Sequence, residues 1–449
     1  MTDADMAVRI AQLVKDAGGR AFFVGGCVRD RLLGRENKDI DLEVHGITPE
    51  TLTRLLGTLG ELTSFGKSFG VFGLRHCGLD IAMPRSERAF GPGHQDFVCT
   101  LDPFIGTRQA ALRRDFTVNA LMQDILTGEI IDHFDGIADL EKRRIRHIDA
   151  VRFAEDPLRV LRAAQFAARF GFMVTPETVS VCREMDLSAL SAERIFGELE
   201  KALLKAEHPS VFFAVLREMD QLDCWFPEVR DLIGVPQPAK YHPEGDVWNH
   251  TMLVLDQAAV LRGKAEDPLG LMLSALCHDL GKPAATRVEE DGRLHAFGHD
   301  RKGVSVSERF LSRITQEKKR KQYVKNMVLL HMLPNMMALQ NAGQKAFNRL
   351  FDRSVSPGDL LLLCKADVLG SSTAPEDYIG TEAFLQERLS VFRAVMAQPG
   401  ITGADLIAAG FSPGESFHEA LSLAHRLQLA GVAREQALPQ VLAFLRRTK

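Results

Sequence analysis

Several features that would identify whole classes of protein are missing from this sequence. Its 449 residues include seven cysteines but no CxxC pair, so neither a zinc finger nor a disulfide framework is expected. No apolar run approaches the roughly 18 residues that a membrane span needs, and the N-terminal stretch MTDADMAVRIAQLVKDAGG lacks the basic start and apolar middle of a signal peptide. We therefore expect a cytoplasmic protein that does not enter a membrane.

The sequence also lacks an overall positive charge, since its formal net charge is −4 at pH 7. Binding to nucleic acid would therefore need local basic patches. Two runs qualify, from Lys142 to Arg146 and from Lys318 to Lys321, although such runs are more often solvated faces of helices. With 45% hydrophobic and 25% charged residues, the composition is typical of a globular enzyme.

Four runs in the N-terminal third of the chain have the composition of β-strands. They are bounded by glycine and proline, and they are AFFVGG (21–26), DIDLEVHG (39–46), GVFGLRH (70–76) and GLDIAMP (78–84). After about residue 151 the β pattern nearly disappears and helical periodicity continues to the end. The sequence therefore predicts an α+β fold, with a mixed sheet in the head and an all-helical remainder.

The stretch PQPAKYHPEGD (236–246) is the clearest linker, because it is dense in proline and polar residues. At about 150 residues per domain, a chain of this length should form roughly three domains. We expect a head at 1–145, a helical neck at 146–235, a third domain at 236–380 and a helical tail at 381–449. The pattern assigns nothing to the tail beyond packing or RNA contact.

The segment VGGCVRDRLLG ends one predicted strand and begins a helix. Gly25 and Gly26 allow close approach of the backbone to a phosphate, and the start of the helix offers free N–H groups. Arg29, one turn into the helix, could clamp a triphosphate. A pair of glycines alone is more often only a turn, and the dinucleotide fingerprint lacks its third glycine here.

The next predicted strand carries paired carboxylates. Because side chains alternate along a strand, Asp39 and Asp41 share one face about 6.6 Å apart, which suits two Mg²⁺ ions about 3.5–4 Å apart in phosphoryl transfer. Glu43 is left out of the predicted site, since it lies about 13 Å from Asp39. Asp80 on a later strand is the candidate third carboxylate. A lone DxD is usually a pair of surface acids, but the upstream glycine loop favours a phosphoryl-transfer site.

These motifs, followed by LRRDFTVNAL (112–121) and AEDPLRVLRAAQFAARFGF (154–172), resemble the successive motifs of class II tRNA nucleotidyltransferases and bacterial poly(A) polymerases. The resemblance implies a polymerase-β-like head that binds Mg²⁺ through Asp39 and Asp41. It also implies nucleotide-binding positions at Gly25, Gly26, Arg29, Arg114, Asp115 and Asn119.

Asp156, Arg159 and Arg162 are spaced i, i+3, i+6, which predicts one stripe along a helix. The alternative is an ion-pair ladder on the surface. Cytosine and adenine each present an amino donor beside a ring-nitrogen acceptor on the pairing edge, so an Asp acceptor beside an Arg donor matches C and A and mismatches U and G. The resemblance implies that Asp156 and Arg159 read the base and that Arg162 contacts the nucleotide.

The third predicted domain contains six residues of types that bind metal ions. They are His250, His278, Asp279, His299, His331 and Asp367. Their order, with HDLGK ending an apolar helix, resembles HD phosphohydrolases, and mixed imidazole and carboxylate ligands suit Ni²⁺, Mn²⁺ or Mg²⁺. Together with AKYHPEGD, the arrangement resembles the bacterial multifunctional CCA proteins, whose HD domain is a phosphohydrolase. The alternative is a vestigial domain retained for packing or tRNA contact.

The leading hypothesis from these motifs is stepwise transfer of CMP and AMP from CTP and ATP to the 3′ end of tRNA. Enzymes that add only A, only CC or a poly(A) tail use the same motifs and stay as alternatives. A hypothesis from another class is an HD phosphodiesterase or phosphatase whose head only binds RNA, and a third is a non-catalytic RNA-binding protein. Monomer and homodimer are both left open.

Overall fold

The structure, a computed structural model, describes residues 2–35, 39–63, 71–89, 97–371 and 375–447. The chain divides into two compact units, which are Met1–Ala202 with Val211–Trp225 and Leu203–Ser210 with Phe226–Lys449. Among the described residues, no helix has both the length and the apolar character that crossing a membrane requires.

The strands are short and most of them precede residue 146. Those of the first unit are β1 (Arg20–Val24), β2 (Ile40–His45), β3 (Leu62–Thr63), β4 (Val71–Leu74), β5 (Leu79–Ala82), β6 (Arg85–Ala89), β7 (Phe97–Leu101), β8 (Met122–Asp124), β9 (Ile130–Ile131), β10 (Arg144–Ile145) and β11 (Met173–Val174). The second unit contains the pair β12 (Arg287–Val288) and β13 (Leu294–His295).

Helices make up most of the rest of the chain. Those that begin before residue 220 are α1 (Asp3–Asp16), α2 (Gly26–Leu32), α3 (Pro49–Gly57), α4 (Thr107–Leu112), α5 (Gly136–Glu141), α6 (Ala150–Ala154), α7 (Leu158–Phe170), α8 (Pro176–Arg183), α9 (Ala192–Lys205) and α10 (Ser210–Glu218). The later ones are α11 (Pro227–Arg230), α12 (Val247–Leu261), α13 (Pro268–Cys277), α14 (Lys282–Ala285), α15 (His299–Ile314), α16 (Lys318–Leu330), α17 (Leu333–Leu339), α18 (Gln344–Arg353), α19 (Pro357–Gly370), α20 (Pro375–Ala397), α21 (Gly403–Ala408), α22 (Glu415–Leu429) and α23 (Arg434–Arg447).

Seven strands of the described residues form one mixed sheet in the order β3-β4-β5-β2-β1-β8-β9. Neighbouring strands in it are antiparallel except for β2 and β5, which run parallel. The parallel register pairs Asp41 with Asp80. The four predicted strands correspond to β1, β2, β4 and β5, except that residue 70 lies outside the described residues. The predicted mixed-sheet head is confirmed.

The head sheet has an apolar face because its central strands carry large buried side chains. Phe22 and Val24 of β1 pack with Met122 of β8, and each such side chain contributes about 1.5–3 kcal/mol when it is fully buried. Helix α1 packs against β1 through an apolar face with helical spacing. The buried residues of that face are Ala7, Ile10, Ala11 and Val14.

The second unit is built around α13, whose sequence PLGLMLSALC is buried from Leu269 to Cys277. A helix that is apolar on all sides belongs in a core, and α13 packs against α12, α16 and α19. Asp267 caps its start by accepting a hydrogen bond from the Gly270 N–H at 2.9 Å. The helix therefore ends inside the core, directly before His278, and the predicted helical remainder is confirmed.

Candidate active sites

Three carboxylates of the head lie at neighbouring positions of the central sheet. Asp39 directly precedes β2, Asp41 lies within it, and Asp80 occupies the paired position of β5. Partial burial raises the pKa of Asp41, and the nearby negative charges of Asp80 and Asp39 raise it further against the opposing charge of Arg114. Carboxylates that repel one another in this way are relieved by a divalent cation with oxygen ligands, so the donor set fits Mg²⁺.

The glycine turn before α2 lies directly against the Arg114 guanidinium. Gly25 has φ +68°, and a Cβ on it would stand 2.6 Å from Arg114 Nη1. Only glycine therefore permits this backbone conformation and this approach. The close contact brings the turn and the LRRDFTVNAL motif to the same place, as the resemblance implied.

Arg29 and Asn119 belong to a buried hydrogen-bond network. The Arg29 side chain, 3% exposed, donates to Asn119 Oδ1 at 2.5 Å and to Asp30 Oδ1 at 2.7 Å. Asn119 Nδ2 donates to Asp115 Oδ1 at 2.9 Å, and Asp115 Oδ2 accepts from Arg162 Nε at 2.7 Å. Arg29 is therefore held by other side chains of the protein, which the sequence did not predict. Its contact with a triphosphate stays a prediction.

Glu43 anchors the two arginines of the RRD motif. Its buried carboxylate lies 3.1 Å from Arg113 Nη2, 3.6 Å from Arg114 Nη2 and 2.9 Å from His45 Nε2. Burial alone would raise the pKa of Glu43, but the His45 hydrogen bond and the arginine charges lower it to about 2. Glu43 therefore stays ionised and fixes the direction of Arg114. Arg114 and Asp41 line the same cavity.

Replacing Glu43 by glutamine should lower the free energy of unfolding by about 1.5–3 kcal/mol at pH 7, because the charge-assisted hydrogen bond from Arg113 and the ion pair with Arg114 are lost. Because the pKa of Glu43 is lowered in the folded chain, its carboxylate stabilises the fold fully at pH values above its ordinary pKa of 4.5, and this stabilisation disappears as the pH falls through about 2. The difference in the free energy of unfolding between variant and parent, measured by urea unfolding, should therefore narrow as the pH falls from 4.5 to about 2. Glu61→Gln, which removes the exposed pair with Arg75, is the control. Equal losses in the two variants would contradict the assignment.

The neck helix begins later than its sequence predicts. Asp156 lies before α7, and its Oδ1 accepts a hydrogen bond from the Leu158 N–H at 3.1 Å. Pro157 explains the difference, since proline disfavours helical backbone in the residue before it and is tolerated at a helix start. The single stripe expected for Asp156, Arg159 and Arg162 is therefore wrong in detail, because Asp156 precedes the helix and the two arginines lie on it.

All three predicted neck residues are engaged with other groups, and Arg162 pairs with Asp115. Both carboxylate oxygens of Asp156 accept from Arg194 Nη2, at 3.1 and 3.0 Å. Arg159 donates to the backbone carbonyls of Arg152 and Arg113, at 2.7 and 2.9 Å. The acceptor and donor that the sequence predicts as base readers are therefore present side by side and each is already oriented by a partner.

These residues surround a cavity of about 460 Å³ in the first unit. Seven arginines and four aspartates of the described residues line it, an excess of positive charge that suits a polyphosphate. The lining consists of Gly25, Gly26, Arg29, Asp39, Asp41, Arg85, Arg113, Arg114, Asp115, Asn119, Asp156, Arg159, Arg162, Phe166 and Arg169. Asp80 is exposed beside Asp41 and is not one of these residues. Phe166 and Arg169 continue the Arg162 face at helical spacing, so periodicity could have found them.

The second site gathers all six predicted HD-type residues in the core of the second unit. His250 Nε2 lies 2.9 Å from Asp367 Oδ1, and His278 Nε2 lies 3.1 Å from Asp279 Oδ2. His299 Nε2 stands 3.4 Å from Asp279 Oδ1 and 3.4 Å from His331 Nε2. The residues come from three helices (α12, α15 and α19) and from the turns after α13 and α16, and the sequence order alone does not show that they meet.

The histidine tautomers in this cluster are determined by the backbone. Nδ1 of His278, His299 and His331 lies 2.7–2.8 Å from the carbonyl oxygens of Ala275, Ala296 and Val328. A carbonyl oxygen only accepts, so each Nδ1 carries a proton and each Nε2 faces the cluster. Burial and the charges of the other two histidines lower the pKa of His331 to about 4, which keeps it neutral.

This arrangement fits a bound cation. Among the described residues, His278 Nε2 is buried, makes no hydrogen bond and lies 3.1 Å from Asp279 Oδ2. The Nε2 atoms of His299 and His331 lie 3.4 Å apart. Imidazole nitrogens and carboxylate oxygens within 4.8 Å of one another are the donor set of a transition-metal or Mg²⁺ site.

Four residues next to the cluster were not predicted. Glu244 Oε1 lies 2.9 Å from His250 Nδ1 and 2.8 Å from His242 Nδ1, so it orients the His250 ring. Lys282 Nζ lies 2.7 Å from Asp279 Oδ2 and donates to Gln237 Oε1. Three of these residues come from the stretch 236–246, which the sequence presented as a linker and the structure places beside the cluster. Its histidine, glutamate and aspartate within five residues were the available signal.

Family models match the chain in three places. A poly(A) polymerase head domain matches residues 21–146, a probable RNA- and SrmB-binding site of polymerase A matches 171–233, and an HD domain matches 247–370. The first range contains the glycine turn and the carboxylates, and the third contains all six residues of the HD-type cluster.

A curated relative from Actinobacillus pleuropneumoniae serotype 5b (strain L20), named multifunctional CCA protein, is 40% identical over 360 residues, which cover 78% of this chain and 85% of the relative. The chain belongs to the multifunctional CCA protein family. The predicted family is thereby confirmed.

Solved structures share the fold of this multifunctional CCA protein family member at lower identity. The Thermotoga maritima CCA-adding enzyme complexed with tRNA is 21% identical, with a TM-score of 0.65 over 98% of this chain and 95% of that one. The Bacillus stearothermophilus CCA-adding enzyme in complex with CTP is 22% identical, with a TM-score of 0.66 over 100% and 99%. The likeness extends over both units.

Proposed function

We propose that this chain adds C and A residues to the 3′ end of tRNA, using CTP and ATP. The observation that carries the proposal is the arginine-lined cavity next to Asp39 and Asp41, in which the glycine turn and the neck residues meet. The relatives support it, since they are named CCA proteins and structural neighbours are titled as complexes with tRNA, ATP and CTP.

In this reaction the terminal 3′-hydroxyl oxygen of the tRNA bonds to the α-phosphorus of the incoming nucleotide. The bond from that phosphorus to the bridging oxygen breaks, pyrophosphate leaves, and the hydroxyl proton is lost. Mg²⁺ held by Asp39 and Asp41 would favour the ionised hydroxyl and neutralise the leaving group. Arg114 and Arg113, both held by Glu43, lie where they can bind the phosphates without reorganisation.

Base selection is assigned to Asp156 and Arg159. An acceptor beside a donor matches the amino group and ring nitrogen of C and A, and mismatches U and G. Arg159 is oriented by two carbonyls, and Asp156 is held by Arg194. A base that pairs with Asp156 therefore exchanges one of the Arg194 contacts for its own amino group. Arg162, paired with Asp115, contributes to the nucleotide site.

We assign the four segments of the chain separate roles. Residues 1–145 carry the transfer chemistry, 146–235 read the base and bind RNA, 236–380 carry the HD-type cluster, and 381–449 pack or contact RNA. The family-model matches within the first three segments support this division.

The proposal predicts extension of tRNA in three stages. The protein is incubated with tRNAs ending before CCA, after C and after CC, with CTP and ATP separately and together, and product lengths are measured. CTP alone should extend the first tRNA by two residues, ATP alone should extend only the tRNA ending in CC, and a complete CCA end should not be extended. Addition of only CC, only A or a long A tail would identify the corresponding alternative. No extension of any tRNA would contradict the proposal.

We also propose that the HD-type cluster hydrolyses phosphate esters. The specific observation is the convergence of the Nε2 atoms of three histidines around Asp279 in a buried site. Ni²⁺, Mn²⁺ or Mg²⁺ held there would supply an activated water at neutral pH. The chain's own residues orient the ligands, and Lys282 offers a positive charge to a phosphate at the edge of the cluster.

A further inference from the structure

The HD-type cluster opens into a cavity of about 600 Å³ in the second unit. Asp279, His299 and Asp367 form one end of its lining. The rest of the wall is largely apolar, and its larger apolar members are Tyr241, Leu294, Phe297, Met332, Leu333 and Met336. A phosphate needs no such wall, so the cavity has space and chemistry for another part of a ligand.

An aromatic pair forms the most exposed part of that wall. Phe297 is 82% exposed, and its ring is stacked on His295 with centroids 4.5 Å apart and planes inclined by 24°. Tyr241 is 59% exposed in the same cavity. Exposing large aromatic rings to water is unfavourable in the free protein, so such rings at a cavity indicate a binding surface. A flat aromatic ring is the usual means by which proteins stack on a nucleobase.

Two buried polar atoms of the wall have hydrogen-bonding capacity to spare. Within the described residues, Gln237 Nε2 and His295 Nδ1 make no hydrogen bond, and Gln237 is only 8% exposed. Leaving a buried donor unsatisfied is costly, so such atoms are usually paired once a ligand is bound. The ring nitrogens and carbonyl oxygens of a base, together with ribose hydroxyls, are suitable partners.

The aromatic pair and the HD-type cluster lie close enough along the chain for one ligand to contact both. Phe297 precedes His299 by two residues, so their Cα atoms lie within about 7 Å of each other. A ring connected to a phosphate through a ribose can therefore contact the aromatic pair while its phosphate lies at the cluster.

We propose that Phe297, His295 and Gln237 form a ring-binding subsite that holds the base of a nucleoside phosphate whose phosphate lies at the HD-type cluster. The inference rests on the proposed hydrolytic function of that cluster. Phe297 stacks on the base, and Gln237 donates to it. The nucleoside is either free or the 3′-terminal residue of an RNA that ends in a phosphate, since both present the same chemistry.

The test measures hydrogen–deuterium exchange in the full chain, because it separates this cavity from nucleotide binding in the head. Adenosine 2′-monophosphate should protect the peptides around Phe297 and Gln237, whereas ribose 5-phosphate and inorganic phosphate should not. Phe297→Ala should raise the ligand concentration needed for half-maximal protection by about tenfold or more, as expected for the loss of one stacked ring. Phe297→Tyr should restore it, and Leu339→Ala, which removes another exposed apolar side chain of the unit, should change nothing.

Kinetics provide the second measurement. For hydrolysis of adenosine 2′,3′-cyclic phosphate with Mn²⁺, Phe297→Ala should raise KM with little change in kcat, since stacking binds ground state and transition state equally. A short RNA ending in a 2′,3′-cyclic phosphate identifies the source of the nucleoside. Binding of both ligands shows that one nucleoside suffices, and Phe297-dependent binding of the RNA alone assigns the subsite to an RNA end.

Two failures can be distinguished. If no ester is hydrolysed but protection by the nucleotide still depends on Phe297, the hydrolytic function is wrong and the subsite stands. If cyclic nucleotides are hydrolysed but Phe297→Ala matches the parent in KM and protection, or ribose 5-phosphate protects equally well, the subsite is wrong.

Discussion

The double variant Asp39→Asn, Asp41→Asn should add nucleotides to tRNA at least about a thousandfold more slowly than the parent chain. Several kcal/mol of charge stabilisation depend on the metal ions that these carboxylates are proposed to hold, and each 1.4 kcal/mol changes a rate about tenfold. Asparagine preserves the shape of each side chain and removes its charge. The measurement is the initial rate of extension of a tRNA ending in CC with ATP.

The control for this variant is Asp16→Asn, which changes an exposed aspartate at the end of α1. It should extend tRNA at the parent rate. Hydrolysis at the HD-type cluster is a second control within the double variant and should be unchanged if the chain is folded. Undiminished extension by the Asp39, Asp41 variant would disprove the metal assignment even if tRNA extension itself is confirmed.

Asp80 allows a finer test of the same carboxylates. It pairs with Asp41 in the sheet but is exposed beside the cavity and not part of its lining. If Asp80 binds the metal ions, Asp80→Asn should lower the rate of tRNA extension as much as Asp41→Asn does. A loss of only a few-fold in Asp80→Asn would show that it tunes the charge of Asp41 without binding metal.

Asp279→Asn should abolish metal-dependent phosphate-ester hydrolysis, with a loss of at least about a thousandfold, and leave tRNA extension unchanged. Asp279 lies against His278, His299 and Lys282, so its replacement removes the carboxylate on which the cluster converges. The measurements are Mn²⁺ binding by calorimetry and hydrolysis of a 2′,3′-cyclic phosphate.

Since Asp279 is buried, its variant needs a check on folding. His299→Gln replaces a less central member of the cluster and should show the same separation of activities. Asp291→Asn, on an exposed turn, should show neither loss. If both activities fall together in the cluster variants, or if Mn²⁺ binding is unchanged, the assignment of the cluster is wrong.

Local patterns predicted much of the head. The strand that alternation predicted at 39–46 is β2 (Ile40–His45), which directly follows Asp39 and contains Asp41. Side-chain direction in a strand depends only on the chain itself, so local alternation was enough to predict it. The glycine turn was predicted for similar reasons, but the close approach of Arg114 to Gly25 was not. That contact joins residues far apart in the sequence, and only the packed sheet brings them together.

The neck shows where a spacing rule failed. Helical periodicity placed Asp156 on the same helix as Arg159, whereas the helix begins after Pro157 and leaves Asp156 outside it. The proline was visible in the sequence, and its effect on the preceding residue would have corrected the prediction. The pairing with Arg194 was not predictable, since many arginines of the chain could have taken that place.

The sequence by itself determined the family, the mixed-sheet head with its helical remainder, and the order of the motifs, because these depend on residue types and on spacings of a few residues. Tertiary structure alone decided which charges are paired. It buried Glu43 beneath the RRD arginines, fixed the tautomers of three histidines and placed the stretch 236–246 beside the HD-type cluster. The physical reason is that burial and the positions of partners set the strength of a charge interaction, and both arise only when distant segments pack together.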